Sequence, residues 1–479
     1  MAKCGESVDR RVFLQTALAG ALGATALGPG SGAAIWEQGA NPLRDRVSLY
    51  GRPNIILAMT DDQGWGDVGY NGNRLVRTPV LDEMAASGLR FDRFYAAHPV
   101  CSPTRGSCMT GRHPNRYYCF SWGYDLPLEE MTLAEAVKTA GYSTGHFGKW
   151  HLGGIPENGA ARTDRGNLKT RDRRLRHPGN QGFDEWFSYW NFFDLDPSEF
   201  YHNGEAVGLL KGEGSEIIVE RALKFIGKAA RQNQPFLAVI WFGNPHSPHA
   251  ALNEDKALYA GLDPKKQDYS GELTAIDRAM GQLRSGLIEL GVHRNTMLWF
   301  CSDNGATGSG SNRPLRAGKG TLWEGGVRVP GILEWPARIS KPFSTDIPAC
   351  TSDYYPTFLE LLGIDIPNQI LPLDGISLLP LIEGKMSRRP RPIAFELRTD
   401  DETVQWAALV DNQYKLHAPL GENTKPVALY DLSVDIGEQD DLSAGEPRLV
   451  NRMMEQLQAW QASVRKSLTG EDYRQLDTP

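Results

Sequence analysis

Asn54-Ile55-Ile56-Leu57-Ala58-Met59-Thr60-Asp61-Asp62-Gln63-Gly64-Trp65-Gly66-Asp67 is the stretch on which the fold turns. Residues 54–59 make an apolar run of strand length with no alternation, the pattern of a strand buried on both faces. Residues 236–242 and 296–301 read the same way. Helical patterns fall between these runs. Thr78-Pro79 opens one as N-cap and first-turn proline, and Gly88 closes it. Thr132 and Glu135 make a capping box ahead of Ala136-Val137, and Gly141 ends that helix. Residues 215–230 and 271–290 carry apolar side chains at helical spacing, and 352–363 forms a short capped helix. Strands alternating with helices predict an α/β fold with a large, mostly parallel (mixed) sheet flanked by helices. From about Pro390 the texture changes to short strands at 392–396, 406–410 and 414–417, then a final helix at 446–467. That predicts a smaller C-terminal α+β subdomain, a short antiparallel sheet plus a helix, over 389–470, with the main domain over 50–388. Ligands of such sheets bind beyond the carboxyl ends of the strands, so the residues after each apolar run carry the interest.

The chain has 479 residues with 41% hydrophobic and 23% charged side chains, an ordinary globular balance. A net charge of −7 argues against a nucleic-acid binder, yet leaves room for a locally positive pocket. Residues 1–34 read as an export signal. Arg10-Arg11-Val12-Phe13-Leu14 matches the twin-arginine pattern, a Gly-broken apolar stretch follows, and Gly32, Ala33 and Ala34 offer a cleavage site. A non-cleaved amphipathic terminus is the alternative. The apolar stretch is too short for a good membrane span, and no other segment is long enough. The expectation is export by the twin-arginine machinery to a bacterial periplasm or cell envelope. Six cysteines are too few for a disulfide scaffold in this length. Cys4 leaves with the signal and Cys301 reads as a buried thiol, while pairing among Cys108, Cys119 and Cys350 stays open.

Asp61 and Asp62 follow a strand, and adjacent carboxylates repel unless a cation lies between them. Alone, they read equally as a solvated acidic turn. The run at 296–301 leads into Ser302-Asp303-Asn304-Gly305, a second oxygen-rich cluster after a buried strand. If both strands share one parallel sheet, the clusters converge on one metal. Carboxylate and amide oxygens suit calcium, with magnesium as the alternative, and the lack of a His- or Cys-rich set argues against zinc.

The most specific stretch is Pro99-Val100-Cys101-Ser102-Pro103-Thr104-Arg105 with Thr110-Gly111 downstream, a C-x-P-x-R pattern. Gly141-Tyr142-Ser143-Thr144-Gly145-His146-Phe147-Gly148-Lys149-Trp150-His151 is a second signature. On these motifs the chain resembles the type I, formylglycine-dependent sulfatases of the alkaline-phosphatase superfamily. Its texture is closest to arylsulfatases and to the lysosomal sulfatases acting on galactosamine sulfate and cerebroside sulfate. The resemblance spans about 52–444 with the motifs in family order. Asn244-Pro245-His246-Ser247-Pro248 resembles the family's H-x-P segment, and Ala317-Gly318-Lys319-Gly320-Thr321-Leu322-Trp323-Glu324-Gly325-Gly326 its late lysine loop. Gly182-Phe183-Asp184-Glu185-Trp186-Phe187 also matches, its aromatics reading as packing. His249 has no firm counterpart and reads either as lining the substrate mouth or as bonded to a backbone carbonyl, the second favoured; Cys108 stands where an aliphatic residue is usual. Pro103 in a first helical turn would put Cys101 at the positive end of a helix dipole, a place that favours an anion.

The resemblance implies that Cys101 becomes formylglycine (3-oxoalanine), made by a maturation enzyme and held as a hydrate. One hydroxyl of such a diol can attack sulfur, and collapse to the aldehyde then expels sulfate, a route closed to a thiol. It further implies that Asp61, Asp62, Asp303, Asn304 and residue 101 hold the metal, which polarises the sulfate oxygens and lowers the pKa of the attacking hydroxyl. Arg105 would hold the hydrate, and Lys149 and Lys319 would neutralise sulfate oxygens. His246 with Lys319 would assist the departing alcohol, and His151 would take the second diol proton. The substrate is expected to be a sulfated small molecule or glycan. Arg162, Arg165, Lys169, Arg171, Arg173, Arg174 and Arg176, opposed by Asp164 and Asp172, would attract a polysulfated chain, or form a solvated insertion. The rival activities are a phosphate or phosphonate monoester hydrolase and a catalytically silent binder of sulfated glycans.

Overall fold

The computed structural model describes residues 51–157, 160–162, 175–191, 195–367, 369–419 and 426–473. The export signal at 1–34 and Arg165, Lys169, Arg171, Arg173 and Arg174 of the basic segment lie outside the described residues.

The quoted stretch forms β1 (Asn54–Thr60) at the middle of a ten-stranded sheet. The strands nearest it are β2 (Ser143–Lys149), β3 (Glu185–Tyr189), β4 (Phe236–Trp241), β5 (Thr296–Ser302) and β6 (Gly331–Glu334). They lie in the order β6-β5-β1-β4-β2-β3. From β5 to β3 all are parallel, and β6 joins antiparallel, so the sheet is mixed as expected.

Continuous apolar runs are required because each central strand feeds two cores. Ile55, Leu57 and Met59 enter one core with Leu237, Val239, Trp241, Met297, Trp299 and Cys301. Ile56 and Ala58 enter the other with Ala238, Ile240, Leu298 and Phe300. Strand side chains alternate in direction, so a strand covered on both sides favours apolar residues at successive positions, as in β1, β4 and β5. The first core is closed by α2 (Cys101–Thr110), α3 (Leu133–Thr139) and α6 (Tyr354–Leu362). The second is closed by α1 (Pro79–Ser87), α4 (Gly214–Arg231) and α5 (Pro264–Glu289). Thr132 caps α3 through the expected box. The long helix α5 starts earlier than its apolar pattern, because Asp263 accepts a hydrogen bond from the Lys266 amide and Pro264 supplies the first turn.

The C-terminal sheet has four antiparallel strands, β7 (Ile393–Arg398), β8 (Val404–Asp411), β9 (Tyr414–Pro419) and β10 (Ala428–Asp431). One face packs Ala407, Leu409 and Leu416 on Leu449, Met453 and Leu457 of α7 (Pro447–Leu468). The other packs Phe395, Ala408 and Val410 against Tyr95, Leu322 and Val327 of the main body. The five cysteines among the described residues are buried and unpaired.

Candidate active site

Register aligns the carboxyl ends of four parallel strands. Thr60 stands beside Ser302, Met59 beside Trp241, and Trp241 beside Gly148. The ladder runs a step past the strands, since the Asp61 amide donates to the Asn244 carbonyl (3.0 Å) and the Asp303 amide to the Thr60 carbonyl (3.1 Å). The chain therefore delivers Asp61, Asp62, Asp303, Asn304, Lys149 and His246 to one end of the sheet, where ligand sites of such folds lie.

α2 begins at Cys101, with Val100 as an extended N-cap, so the thiol sits in the first turn as the Pro103 reading expects. Sγ of Cys101 and carboxylate oxygens of Asp61 and Asp303 all lie within 4.8 Å of one another, and atoms of Asp61, Asp62 and His246 form a second such group. One turn along the helix, Arg105 directs Nη2 and Nε at Asp303 Oδ2 (2.7 and 3.1 Å) and Nη2 at Asp61 Oδ2 (3.3 Å). Its guanidinium lies 5.1 Å from the Trp241 ring centroid, and all of it is buried. Lys149 contacts Asp61 Oδ2, and Lys319 spans Asp62 Oδ1 and Oδ2 (2.6 and 2.8 Å). Asp62, at φ +62°, also accepts from Asn304 Nδ2 (2.7 Å), and its amide donates to Asp303 Oδ1 (3.1 Å).

Two buried oxygens in this cluster have no hydrogen-bond partner, Asp61 Oδ1 and Asn304 Oδ1. Unpaired buried acceptors are costly, and such a pair beside two further carboxylates is the donor set of a hard cation. The residues therefore fit the divalent metal that the sequence reading expects. Burial opposes ionisation of Asp61, but Lys149, His246 and Arg105 outweigh it and hold the carboxyl far below the carboxylate range. Burial and the neighbouring Asp61 push Asp303 up to about 7. Burial likewise pushes the Cys101 thiol up to about 11, against the pull of Lys149 and Lys319.

The two histidines differ. His246 Nδ1 lies 2.6 Å from the Ser247 carbonyl, which requires the proton on that nitrogen, and Nε2 lies 3.8 Å from Asp62 Oδ2. Its side chain is 30% exposed. His151 is buried at φ +50° with both ring nitrogens unpaired, and burial with Lys149 and Arg105 nearby keeps it neutral. His249 bonds to the Glu272 carboxylate (Nδ1–Oε2 3.1 Å), which corrects the backbone-carbonyl expectation.

Asn244, Glu213 and Asp67 support the site and carry no role in the sequence reading. Asn244 holds Asp61 through its carbonyl and donates its side-chain amide to Glu213 Oε1 (2.9 Å). Asp67 accepts from the Gly64 and Ser311 amides (both 2.9 Å) and from Tyr269 (2.5 Å), so the Asp61-Asp62 loop is tied to the loop after Asn304. The Lys319 loop is fastened to the segment before Cys101 and to the one after Asn304, Gly320 donating to the Pro99 carbonyl (2.9 Å) and Lys319 to that of Ala306 (3.2 Å). Asn244 and Asp67 stand inside the quoted motifs, so their position was a signal. Glu213 had none.

Comparison with known proteins agrees with this geometry. The Sulfatase family model matches residues 53–364, and the model for N-sulphoglucosamine sulphohydrolase, C-terminal, matches 318–463. The chain is 33% identical to N-acetylgalactosamine-6-sulfatase of Mus musculus over 71% of its own length and 68% of that protein's. It is 30% identical to human Arylsulfatase A over 87% and 89% of the two chains. The crystal structure of Ps i-CgsB in complex with k-i-k-neocarrahexaose superposes with TM-score 0.76 at 28% identity, covering 89% of this chain and 98% of that one. A parallel-centred sheet with such relatives defines a sulfuric ester hydrolase. The chain belongs to the sulfatase family of the alkaline-phosphatase superfamily.

Proposed function

We propose that this sulfatase hydrolyses sulfate monoesters of a carbohydrate, using formylglycine at position 101 and a divalent metal, calcium before magnesium. The observation that carries the reading is the convergence of Cys101, Asp61 and Asp303 within 4.8 Å, beside unpaired oxygens of Asp61 and Asn304. Asp61, Asp62, Asp303, Asn304 and residue 101 would hold the metal. The metal supplies Lewis acidity toward the sulfate oxygens, and the formylglycine hydrate a nucleophilic oxygen with a route for sulfate release. Arg105, fixed by Asp303 and Asp61, orients residue 101. Lys149 and Lys319 are two buried or half-buried ammoniums poised to take up sulfate charge as it grows on the departing oxygen. His246, partly exposed at the mouth, protonates the leaving alcohol with Lys319, and His151, neutral and unpaired, accepts the second proton of the hydrate. A carbohydrate is favoured because similar proteins are named for a sugar sulfate or solved with a neocarrahexaose. We assign export to the twin-arginine-like leader, and hence a periplasmic or envelope location, on its sequence alone.

Mass spectrometry of the peptide containing residue 101, from protein made in its native host, is the test. An aldehyde is expected, and an unmodified thiol overturns the mechanism. Kinetics on matched sulfate and phosphate esters should favour sulfate; the reverse preference would make the chain a phosphate or phosphonate monoester hydrolase in practice.

A further inference from the structure

Glu213 is a buried carboxylate, 3% exposed, that takes no part in the proposed chemistry. Among the described residues no basic side chain is paired with it. It is the N-cap of α4, and its Oε2 accepts from the Glu216 amide (3.0 Å). Capping alone does not account for it, since an exposed serine or aspartate caps a helix without burying a charge. Its other oxygen reaches toward the site. Oε1 accepts from Ser215 Oγ (3.1 Å) and from Nδ2 of Asn244 (2.9 Å), which is itself buried. From Asn244 the contacts divide. Its carbonyl accepts from the Asp61 amide (3.0 Å), just past the ends of β1 and β4. Two residues on, the His246 amide donates to the Gly243 carbonyl (3.2 Å), so Asn244 is the buried corner of the turn that carries His246.

From this branching we propose that Glu213 is a positioning residue that sets Asp61 and His246 together. It touches neither the metal position nor the reacting atoms. Its carboxylate holds the Asn244 side chain, and the Asn244 backbone then holds both the strand-end amide of Asp61 and the turn of His246. A displacement of Asn244 therefore moves the metal ligand and the leaving-group acid at once. Hydrogen bonds behind metal ligands orient them, and losing one commonly weakens metal binding about 10–100-fold. This inference rests on the metal site and on the acid role of His246 proposed above.

Two variants cut the link from opposite ends. Glu213→Gln leaves one acceptor oxygen for the Asn244, Ser215 and Glu216 donors, and Asn244→Ala keeps only the carbonyl that meets Asp61. Calorimetric titration of calcium into metal-stripped, full-length protein should show affinity about 10–100-fold below wild type in each. In Glu213→Gln, kcat should fall about tenfold or more on a sulfate ester with a poor alkoxide leaving group, and less on 4-nitrophenyl sulfate. The double variant should be no worse than the weaker single, because both changes break one link. Glu272→Gln is the comparison, since its oxygens bond His249 and the Ala250 amide farther along the same segment. Its calcium affinity should stay within about twofold of wild type, well inside the spread that a lost ligand support produces. Wild-type calcium affinity in Glu213→Gln, additive losses in the double variant, or an equal loss in Glu272→Gln overturns the positioning role, even where urea midpoints fall. So do equal kcat losses on the two esters in Glu213→Gln where His246→Ala discriminates between them. A wild-type protein that binds neither calcium nor magnesium, or a His246→Ala variant that loses equally on both esters, overturns the reading beneath, and the inference with it.

Discussion

At the scale of single residues, each charged group in the site already has a counter-charge. Lys149 lies on Asp61, Lys319 on Asp62 and Arg105 on Asp303, so removing one cation takes the nearest counter-charge from a buried carboxylate. The histidines allow a cleaner separation. His246 acts on the leaving group in our reading, so His246→Ala should lower kcat by about 10²–10⁴ on a sugar sulfate with a poor alkoxide leaving group. The loss should shrink on 4-nitrophenyl sulfate, whose leaving group needs no proton. Steady-state kinetics on the two substrates checks this, and equal losses would remove the acid role. Cys101, the Asp61-Asp62 pair and Asp303-Asn304 were legible as residues, because each follows a motif or a buried strand. Glu213 was not, since nothing near it in sequence says that Asn244 reaches it.

At the scale of elements, β1 and β5 were readable from their apolar runs, but β2 was not. Ser143–Lys149 contains Gly145, His146 and Gly148 and lacks the apolar density of a central strand. Its membership comes from neighbours: a Cβ at Gly148 would stand 1.9 Å from the Trp241 carbonyl oxygen, so close approach to β4 demands glycine there. The same constraint governs the turn after β5. A Cβ on Gly305 would lie 1.7 Å from the Gly325 carbonyl oxygen, where the Lys319 loop crosses the Asp303-Asn304 segment. Gly305→Ala should therefore push the two loops apart, costing at least about 1–3 kcal/mol by urea unfolding. It should also weaken calcium affinity more than tenfold by titration of metal-stripped protein. Wild-type affinity in that variant would mean that the two loops are not coupled.

At the scale of the whole molecule, the C-terminal sheet braces the Lys319 loop through a buried ion cluster. Lys415 Nζ lies 2.8 Å from Glu324 Oε1 and 3.1 Å from Glu438 Oε1, His417 Nε2 lies 2.7 Å from the same Glu438 oxygen, and the Glu324 amide donates to Glu438 Oε2 (2.7 Å). Removing one partner of such a cluster strands the others, so Lys415→Met should cost about 3–5 kcal/mol in urea unfolding. Burial would raise the Glu324 carboxyl, but Lys415 and Arg328 outweigh it and hold it at about 2, below its ordinary 4.5. A depressed folded-state value gives stability that is present above pH 4.5 and lost as pH falls toward 2. Glu324→Gln should flatten that acid limb in unfolding midpoints measured from pH 6 to 2, and an unchanged slope would place the acid sensitivity elsewhere.

Local patterns in the chain were enough for the α/β class and for the oxygen clusters and Cys101 as candidates, because burial on two faces and strand-end chemistry are written in adjacent residues. They determined far less about assembly. That Lys319 meets Asp62, that Asp67 holds Tyr269, and that Lys415 of the last sheet supports Glu324 are contacts between positions far apart in the chain. No local pattern encodes such pairs, since a buried charge is tolerated only where its partner arrives from elsewhere. Only the folded chain brings them together, and with them it sets which acidic residues cluster at the strand ends and which hold that cluster in place.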